Sequence, residues 1–257
     1  MKKFALLAAV ASLTFVASTQ GAVVTQFDFN STVNDASTAT GVSSPFIGAG
    51  TISTIGSVGN PGFNSGVGSS DTNATDNSGY QTDTYPAQST ANQTAGIQVA
   101  ASTVGFQDIS INFDLRTSNT SSRWFQVQIS TDGTSFSNFG TPVRLGGVAP
   151  SAGDLWSNSN TADLSALTSV DDNPNFAFRV VSSFSPVAFT QINGSIAYGA
   201  DTAYEVARNP VTGANSAYVG GTWRFDMVTI NGDVIPEPTV LGLIAAGSLA
   251  MLRRRRA

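Results

Sequence analysis

Apolar residues recur at every second position through much of the interior of the chain. Ile109, Ile111, Phe113 and Leu115 alternate with Ser110, Asn112 and Asp114, and Phe125, Val127 and Ile129 alternate with Gln126 and Gln128. A period of two sends one face of a segment into a core and the other into solvent, which is the pattern of a half-buried antiparallel strand. Strands are therefore expected at 106–115 and 123–130, and further ones at Val23–Phe29, Thr51–Ile55, Ile97–Ala101, Phe176–Val181, Val187–Ile192 and Thr222–Ile230. Between 23 and 233 no stretch long enough for a helix carries helical spacing. Asp132-Gly133, directly after a strand, signals a hairpin turn. Many short strands divided by Gly, Asn, Ser and Asp clusters predict an all-β fold: one antiparallel β-sandwich over residues 23–233, jelly-roll in its connections.

Residues 56–96 break this rhythm. The stretch is dense in Gly, Ser and Asn, and its large apolar groups, Val58, Phe63, Val67, Tyr80 and Tyr85, follow no period. It is too long for an ordinary loop, so it is either a lid packed on one end of the sandwich or partly disordered. Its three aromatic residues favour an ordered insertion, because large rings gain nothing in a floppy linker.

Both ends depart from the strand pattern. Lys2 and Lys3 precede an apolar run from Phe4 to Val16, and small residues follow through Ala17, Ser18, Gly21 and Ala22. That is the layout of a signal peptide over 1–22, with cleavage after either Gly21 or Ala22 left open. At the other end, Pro236-Glu237-Pro238 precedes residues 239–252, which contain no charge, and Arg253, Arg254, Arg255 and Arg256 follow. Fourteen helical residues reach only roughly 21 Å, against a hydrocarbon core of about 30 Å, so this transmembrane helix spans by thinning the bilayer or by snorkelling of Arg253. Arginines resist translocation, which keeps their side cytoplasmic and sets the prolines at the opposite interface. Proline also breaks the helix there and leaves an extended peptide.

The ordered trio of Pro236-Glu237-Pro238, short apolar helix and Arg253–Arg256 resembles the PEP-CTERM sorting signal of exported proteins in Gram-negative bacteria that make exopolysaccharide. The resemblance covers 234–257 and implies an exosortase, a membrane-embedded cysteine transpeptidase, as partner alongside the secretion machinery. It further implies an inner-membrane-inserted precursor, and then a product at the cell surface or in the extracellular matrix. Phe113-Asp-Leu-Arg116, Arg123-Trp-Phe-Gln-Val-Gln-Ile-Ser130 and Thr222-Trp-Arg-Phe-Asp226 are similar to the jelly-roll passenger domains that precede such tails. That second resemblance carries no activity with it.

Composition narrows the chemistry left to the body. The chain has neither cysteine nor histidine, which removes disulfides, thiolate nucleophiles, Cys/His zinc sites and every His-based triad. Its net charge of -5 becomes -11 once the two lysines and the four clustered arginines at the ends are set aside, with no lysine left in between. A body so acidic is unsuited to nucleic acid. Acid–base catalysis would rest on carboxylates alone, yet Glu205 is the one Glu before the tail, and Asp108, Asp114, Asp154, Asp163, Asp171, Asp172 and Asp226 stand at no spacing diagnostic of a hydrolase. The body is accordingly expected to be non-enzymatic, structural or adhesive, and to need no cofactor.

Calcium is the better candidate ligand, since carboxylates, Asn side chains and loop carbonyls suit a hard cation. Asp71, Asp76 and Asp83 form one candidate cluster; Asp28 and Asp226 form another if the first and last strands pair. The alternative function is a carbohydrate-binding or polysaccharide-modifying module of the exopolysaccharide matrix. Trp156 would be its exposed platform, while Trp124 and Trp223, lying in strand patterns, are expected in the core.

Overall fold

A computed structural model describes residues 21–86, 91–118, 121–122, 124–145, 154–183, 191–192, 195–196 and 221–236. The expected signal peptide up to residue 20 and the expected sorting signal beyond Pro236 lie outside the described residues. Chain order runs β1 (Ala22–Phe27), β2 (Ile47–Gly48), β3 (Thr51–Ile55), β4 (Gly59–Ser65), β5 (Ser78–Asp83), β6 (Gly96–Ala100) and β7 (Phe106–Thr117). It continues with β8 (Trp124–Ser130), β9 (Ser137–Arg144), β10 (Trp156–Asp163), β11 (Ala177–Ser182), β12 (Gln191–Ile192), β13 (Ser195–Ile196) and β14 (Trp223–Val234). Among the described residues the one helical element is a 3-10 turn at Thr168–Val170, and no helix is long and apolar enough to cross a membrane.

The strands form two antiparallel sheets. The larger has the order β10-β7-β14-β1-β2, with β5 also paired to β14 and β4 paired to β5; the smaller has the order β3-β6-β11-β8-β9. Alternation explains which faces meet. Ile109, Ile111, Phe113 and Leu115 of β7 are buried together with Phe125, Val127 and Ile129 of β8, and they share one hydrophobic core. The rings of Phe113 and Phe125 touch edge-on across the two sheets, 5.3 Å between centroids, a geometry in which a ring edge meets a ring face. Trp223 and Phe225 of β14 close the same core, and Tyr85 packs against Trp223 at 4.8 Å. The architecture is thus a sandwich built on the expected pattern.

The strands expected at 51–55, 97–101, 106–115, 123–130, 176–181 and 222–230 occur, each within a few residues of its expected bounds. The Gly-rich stretch is ordered where described, and it is neither lid nor linker. It supplies β4 and β5, and β5 enters the larger sheet through Trp223↔Thr82, Arg224↔Gln81 and Phe225↔Tyr80. Tyr80 and Tyr85 are buried in the core. Asp132-Gly133 turns the β8–β9 hairpin: Gly133 takes a φ of 76°, which suits glycine, and Asp132 Oδ1 accepts from Thr134 N–H at 2.8 Å and Ser135 N–H at 2.6 Å. Strands β9 and β10 were not expected. They are edge strands rich in polar residues, and the sheet holds them through backbone bonds that require no apolar alternation.

Phe113 tests how far the sandwich depends on contact between its sheets. Replacing it with Ala leaves a cavity between β7 and β8 and should lower unfolding free energy by about 3–5 kcal/mol, read as a drop in urea midpoint with an unchanged slope.

Candidate functional site: an acidic pocket beside the larger sheet

Beyond β1 the chain keeps its alternation for three more residues. Phe27 and Phe29 stay in the core, fully buried and stacked at 6.1 Å, so Asp28 and Asn30 turn to the other side. Asn30 then acts as a junction. Its Nδ2 donates to Asp71 Oδ2 at 2.8 Å and to Asp28 Oδ2 at 3.3 Å, and its Oδ1 accepts from Ser78 N–H at 2.9 Å. One side chain thereby joins the end of β1, the 66–77 loop and the start of β5. The loop is braced in turn: Asp71 Oδ1 accepts from Asn73 N–H, and Asn73 Oδ1 accepts from the N–H groups of Thr75 and Asp76. Such Asx turns are the local reason that Asp and Asn recur here.

These residues wall a pocket of 710 Å³ whose lining includes Asp28, Asn30, Asp71, Asn73, Asp76 and Phe46. Among the described residues no basic side chain lines it. Phe46 is 70% exposed at the rim and offers an apolar ring beside the carboxylates and amides. Burial pushes the Asp28 carboxyl above its ordinary value, and the charge of Asp71 adds to the rise against the lowering effect of the Asn30 hydrogen bonds.

Beneath the pocket lies a second acidic feature, on β14. The left-hand partner of β14 changes there from β5, which pairs with 223–225, to β1, which pairs with 228–232. The register against β7 also slips between Asp226 and Thr229, and Met227 takes a positive φ of 48°. At this bulge Asp226 has no exposed surface. It stands opposite Asp114 of β7, whose oxygens accept from Ser70 and Ser159 N–H. Asp226 Oδ1 accepts from Met227 N–H, whereas Oδ2 has no hydrogen-bond partner. Gly66 is required beside it: a Cβ there would come within 2.7 Å of Asp226 Oδ2 and 1.7 Å of Asn77 Oδ1, another oxygen without a partner.

Burial pushes the Asp226 carboxyl up to about 8; the Ser69 hydroxyl and Met227 N–H oppose the rise, and the charges of Asp71 and Asp114 add to it. A protonated Asp226 can donate toward Asn77 Oδ1 and so resolve the meeting of two acceptors. Full burial keeps that proton away from any substrate. Arg224, on the same strand, directs its guanidinium to Ser65 O and Gln81 Oε1.

The structure divides the expected site residues. Asp71 and Asp76 line one pocket. Asp83 does not join them; it ends β5 opposite Gly59 and accepts from the Thr84 hydroxyl. Six residues, five of them in β5, lie between Asp76 and Asp83, roughly 20 Å of extended chain, so the expected trio does not converge. Among the described residues no three acidic side chains stand close enough together to hold a metal ion. Strands β1 and β14 do pair, and Asp28 and Asp226 both feel the charge of Asp71. Trp156 is half-buried rather than free: its Nε1–H donates to Val67 O at 3.0 Å, and its ring lies against Gly68 and Gly79. Trp223 is in the core as expected, and Trp124 is half-buried. Glu237, Pro238 and Arg253–Arg256 lie outside the described residues. Asn30, Asn77 and Asp35 escaped sequence reasoning, although the density of Asp and Asn in 71–77 marked the loop itself.

No protein-family model matches the chain, and no curated protein matches it. What the residues define is an all-β sandwich with an acidic pocket against its larger sheet.

The raised Asp226 carboxyl makes stability depend on pH in a stated direction. Between the unfolded value near 3.8 and the folded value of about 8, the folded chain keeps a proton that the unfolded chain has lost. Stability from this group is therefore greatest at acidic pH and falls as pH rises through that window, by at most about 1.4 kcal/mol per pH unit. Asp226→Asn places an N–H₂ donor against Asn77 Oδ1 and removes the fall. With chelator present, urea midpoints of parent minus variant should drop between pH 5 and pH 8; a flat difference contradicts the assignment.

Proposed function

We propose that the chain is an exported, non-enzymatic β-sandwich protein that is inserted in the inner membrane through residues 239–252, then sorted by an exosortase to the cell surface or extracellular matrix of a Gram-negative bacterium. The observation that carries this reading is the order Pro236-Glu237-Pro238, uncharged apolar stretch, Arg253–Arg256, together with the signal-peptide layout of 1–22. The fold is compatible with a passenger role. Strand β14 ends at Val234, Ile235 N–H donates to Gly105 O at 2.8 Å, and Pro236 follows at once, so the sorting peptide starts directly at the last strand without a linker. The passenger is of jelly-roll type in this reading. Its support is the order β1-β14-β7-β10 within one sheet and β6-β11-β8-β9 in the other, which is how two Greek keys interleave.

A carbohydrate-binding role is the second reading, and one observation favours it: exposed Phe46 stands at the rim of a pocket lined mostly by amides, hydroxyls and carboxylates, with Val42, Pro45 and Met227 beside them. Rings and planar polar groups are the chemistry that holds a sugar. Retention of the parent on the exopolysaccharide of its host, lost in Phe46→Ala, would support it.

Sorting is tested by the intact mass of the mature protein in a host carrying an exosortase. Pro236-Glu237-Pro238 changed to three alanines should insert as before and remain untrimmed, whereas neutral replacements of Arg253–Arg256 should disturb orientation and retention. A parent product that still ends at Ala257, or equal trimming of the alanine variant, overturns the reading.

A further inference from the structure

Asp76 is the most demanding side chain of the acidic pocket. It has no exposed surface, and both of its carboxylate oxygens lack a hydrogen-bond partner. An isolated carboxylate is costly to bury, and native structures compensate such a group with donors or with a cation. Among the described residues no amide, hydroxyl or basic side chain donates to it, and the backbone around it is already committed: its own N–H donates to Asn73 Oδ1. A second carboxylate, Asp35, is brought beside it: Asn34 Nδ2 donates to Thr75 Oγ1 at 2.6 Å, which ties together the residues that immediately precede the two carboxylates. Two carboxylates drawn together without a basic residue call for a positive charge between them.

The surroundings are made of oxygen. Asp35 belongs to the 31–40 loop, where its Oδ2 accepts from the Thr40 hydroxyl at 2.7 Å and its Oδ1 from Ser37 N–H at 2.9 Å. The carbonyls of Thr40 and Ser37 turn toward the entry of β5, where both accept from Ser78 Oγ, at 2.7 and 3.4 Å. Carboxylates, loop carbonyls and a hydroxyl, with no nitrogen or sulfur ligand, are the set that a hard cation selects, and loops of this irregular shape suit calcium better than the octahedral demand of magnesium. The basic side chains that the structure describes lie elsewhere: Arg116 pairs with Asp154, Arg179 lies over the Phe136 ring, Arg224 donates to Ser65 O and Gln81, and Arg144 ends β9 in the smaller sheet.

We propose that Asp76 and Asp35 bind one calcium ion between them, with the Ser37 and Thr40 carbonyls as neighbouring oxygens, and that the ion clamps the 31–40 loop onto the entry of β5. This site differs from a cluster of Asp71, Asp76 and Asp83 in its partner: the second carboxylate comes from a loop about forty positions away in sequence. The clamp has a consequence for the pocket. Ser31, Thr32 and Asn34 line one wall and Asp71, Thr72, Asn73 and Asp76 line the other, so an ion joining Asp35 to Asp76 holds the two walls at a fixed spacing. Direct support between them is otherwise thin; Asn34 Nδ2 donating to Thr75 Oγ1 at 2.6 Å is one such bond.

The probe is calcium chloride alone, applied to the full chain in detergent. Extracellular calcium modules bind at about 10⁻⁴–10⁻³ M, so 10 mM calcium should raise the melting temperature over chelator by roughly 3–6 °C. Equilibrium dialysis should find one ion per chain, lost in Asp76→Asn and weakened at least tenfold in Asp35→Asn. Asp35 is exposed, so its variant folds even where the buried one fails. Three results overturn the site: no bound calcium, which leaves the two carboxylates sharing a proton; binding unchanged in Asp35→Asn; or an equal rise in sodium chloride of matched ionic strength, which marks screening of surface acids.

Discussion

Strand β14 is the member on which the larger sheet depends, because its two edges are occupied by three other strands. β7 runs along one edge, while β5 and then β1 share the other. The bond from Gln26 Nε2 to Thr229 Oγ1 spans 203 positions, so the first strand cannot be seated before the last one arrives. Closing so long a separation costs chain entropy before any contact offsets it, and the offset comes from burying Trp223, Phe225, Val228 and Ile230 against the opposite sheet. Folding of this body is accordingly governed by nonlocal pairing, a slow topology.

The handover from β5 to β1 along β14 also creates the chemistry of the molecule. A strand cannot pair continuously with two partners that meet end to end, and the mismatch is absorbed at Asp226-Met227 as a bulge. Through that gap the 66–77 loop approaches closely enough to demand Gly66, and brings Asn77 and Asp71 near Asp226. Acidic groups then accumulate beside the sheet with few compensating charges. Some are satisfied by amide donors, as Asp71 is by Asn30 and Asp114 is by two backbone N–H groups. Asp76 and Asp226 keep unpartnered oxygens. Burial without compensation marks the positions at which a proton or a cation completes the structure, and the two sites answer differently: Asp226 faces a neutral amide oxygen, whereas Asp76 faces a second carboxylate.

In the sorting reading, body and tail divide their tasks. Addressing would use only short local signals, charge at the ends and prolines before an uncharged apolar stretch. The acidic pocket is a property of the passenger alone, and its cation chemistry does not depend on the fate of the tail.

Sequence alone determined what is periodic or local. Alternation over 109–115 and 125–129 announced the two core strands that face each other, because a period of two leaves no other way to bury one face. The Asp132-Gly133 turn was equally legible, since its hydrogen bonds lie within three residues of Asp132. Asp71 and Asp76 could be marked as an acidic loop for the same reason. Tertiary structure alone decided the rest. Strand β5 carries a weak pattern and became a sheet member only because β14 offered it a free edge; β9 and β10 are polar edge strands that backbone pairing defines. Trp156 read as a free platform until Gly68 and Gly79 gave it a surface to lie on. Asp83 parted from Asp71 and Asp76 because an extended strand separates them, and Asp35 came to Asp76 because the 31–40 loop folds back across β5. Which carboxylates meet is a question of register and loop return, and neither has a period to be read.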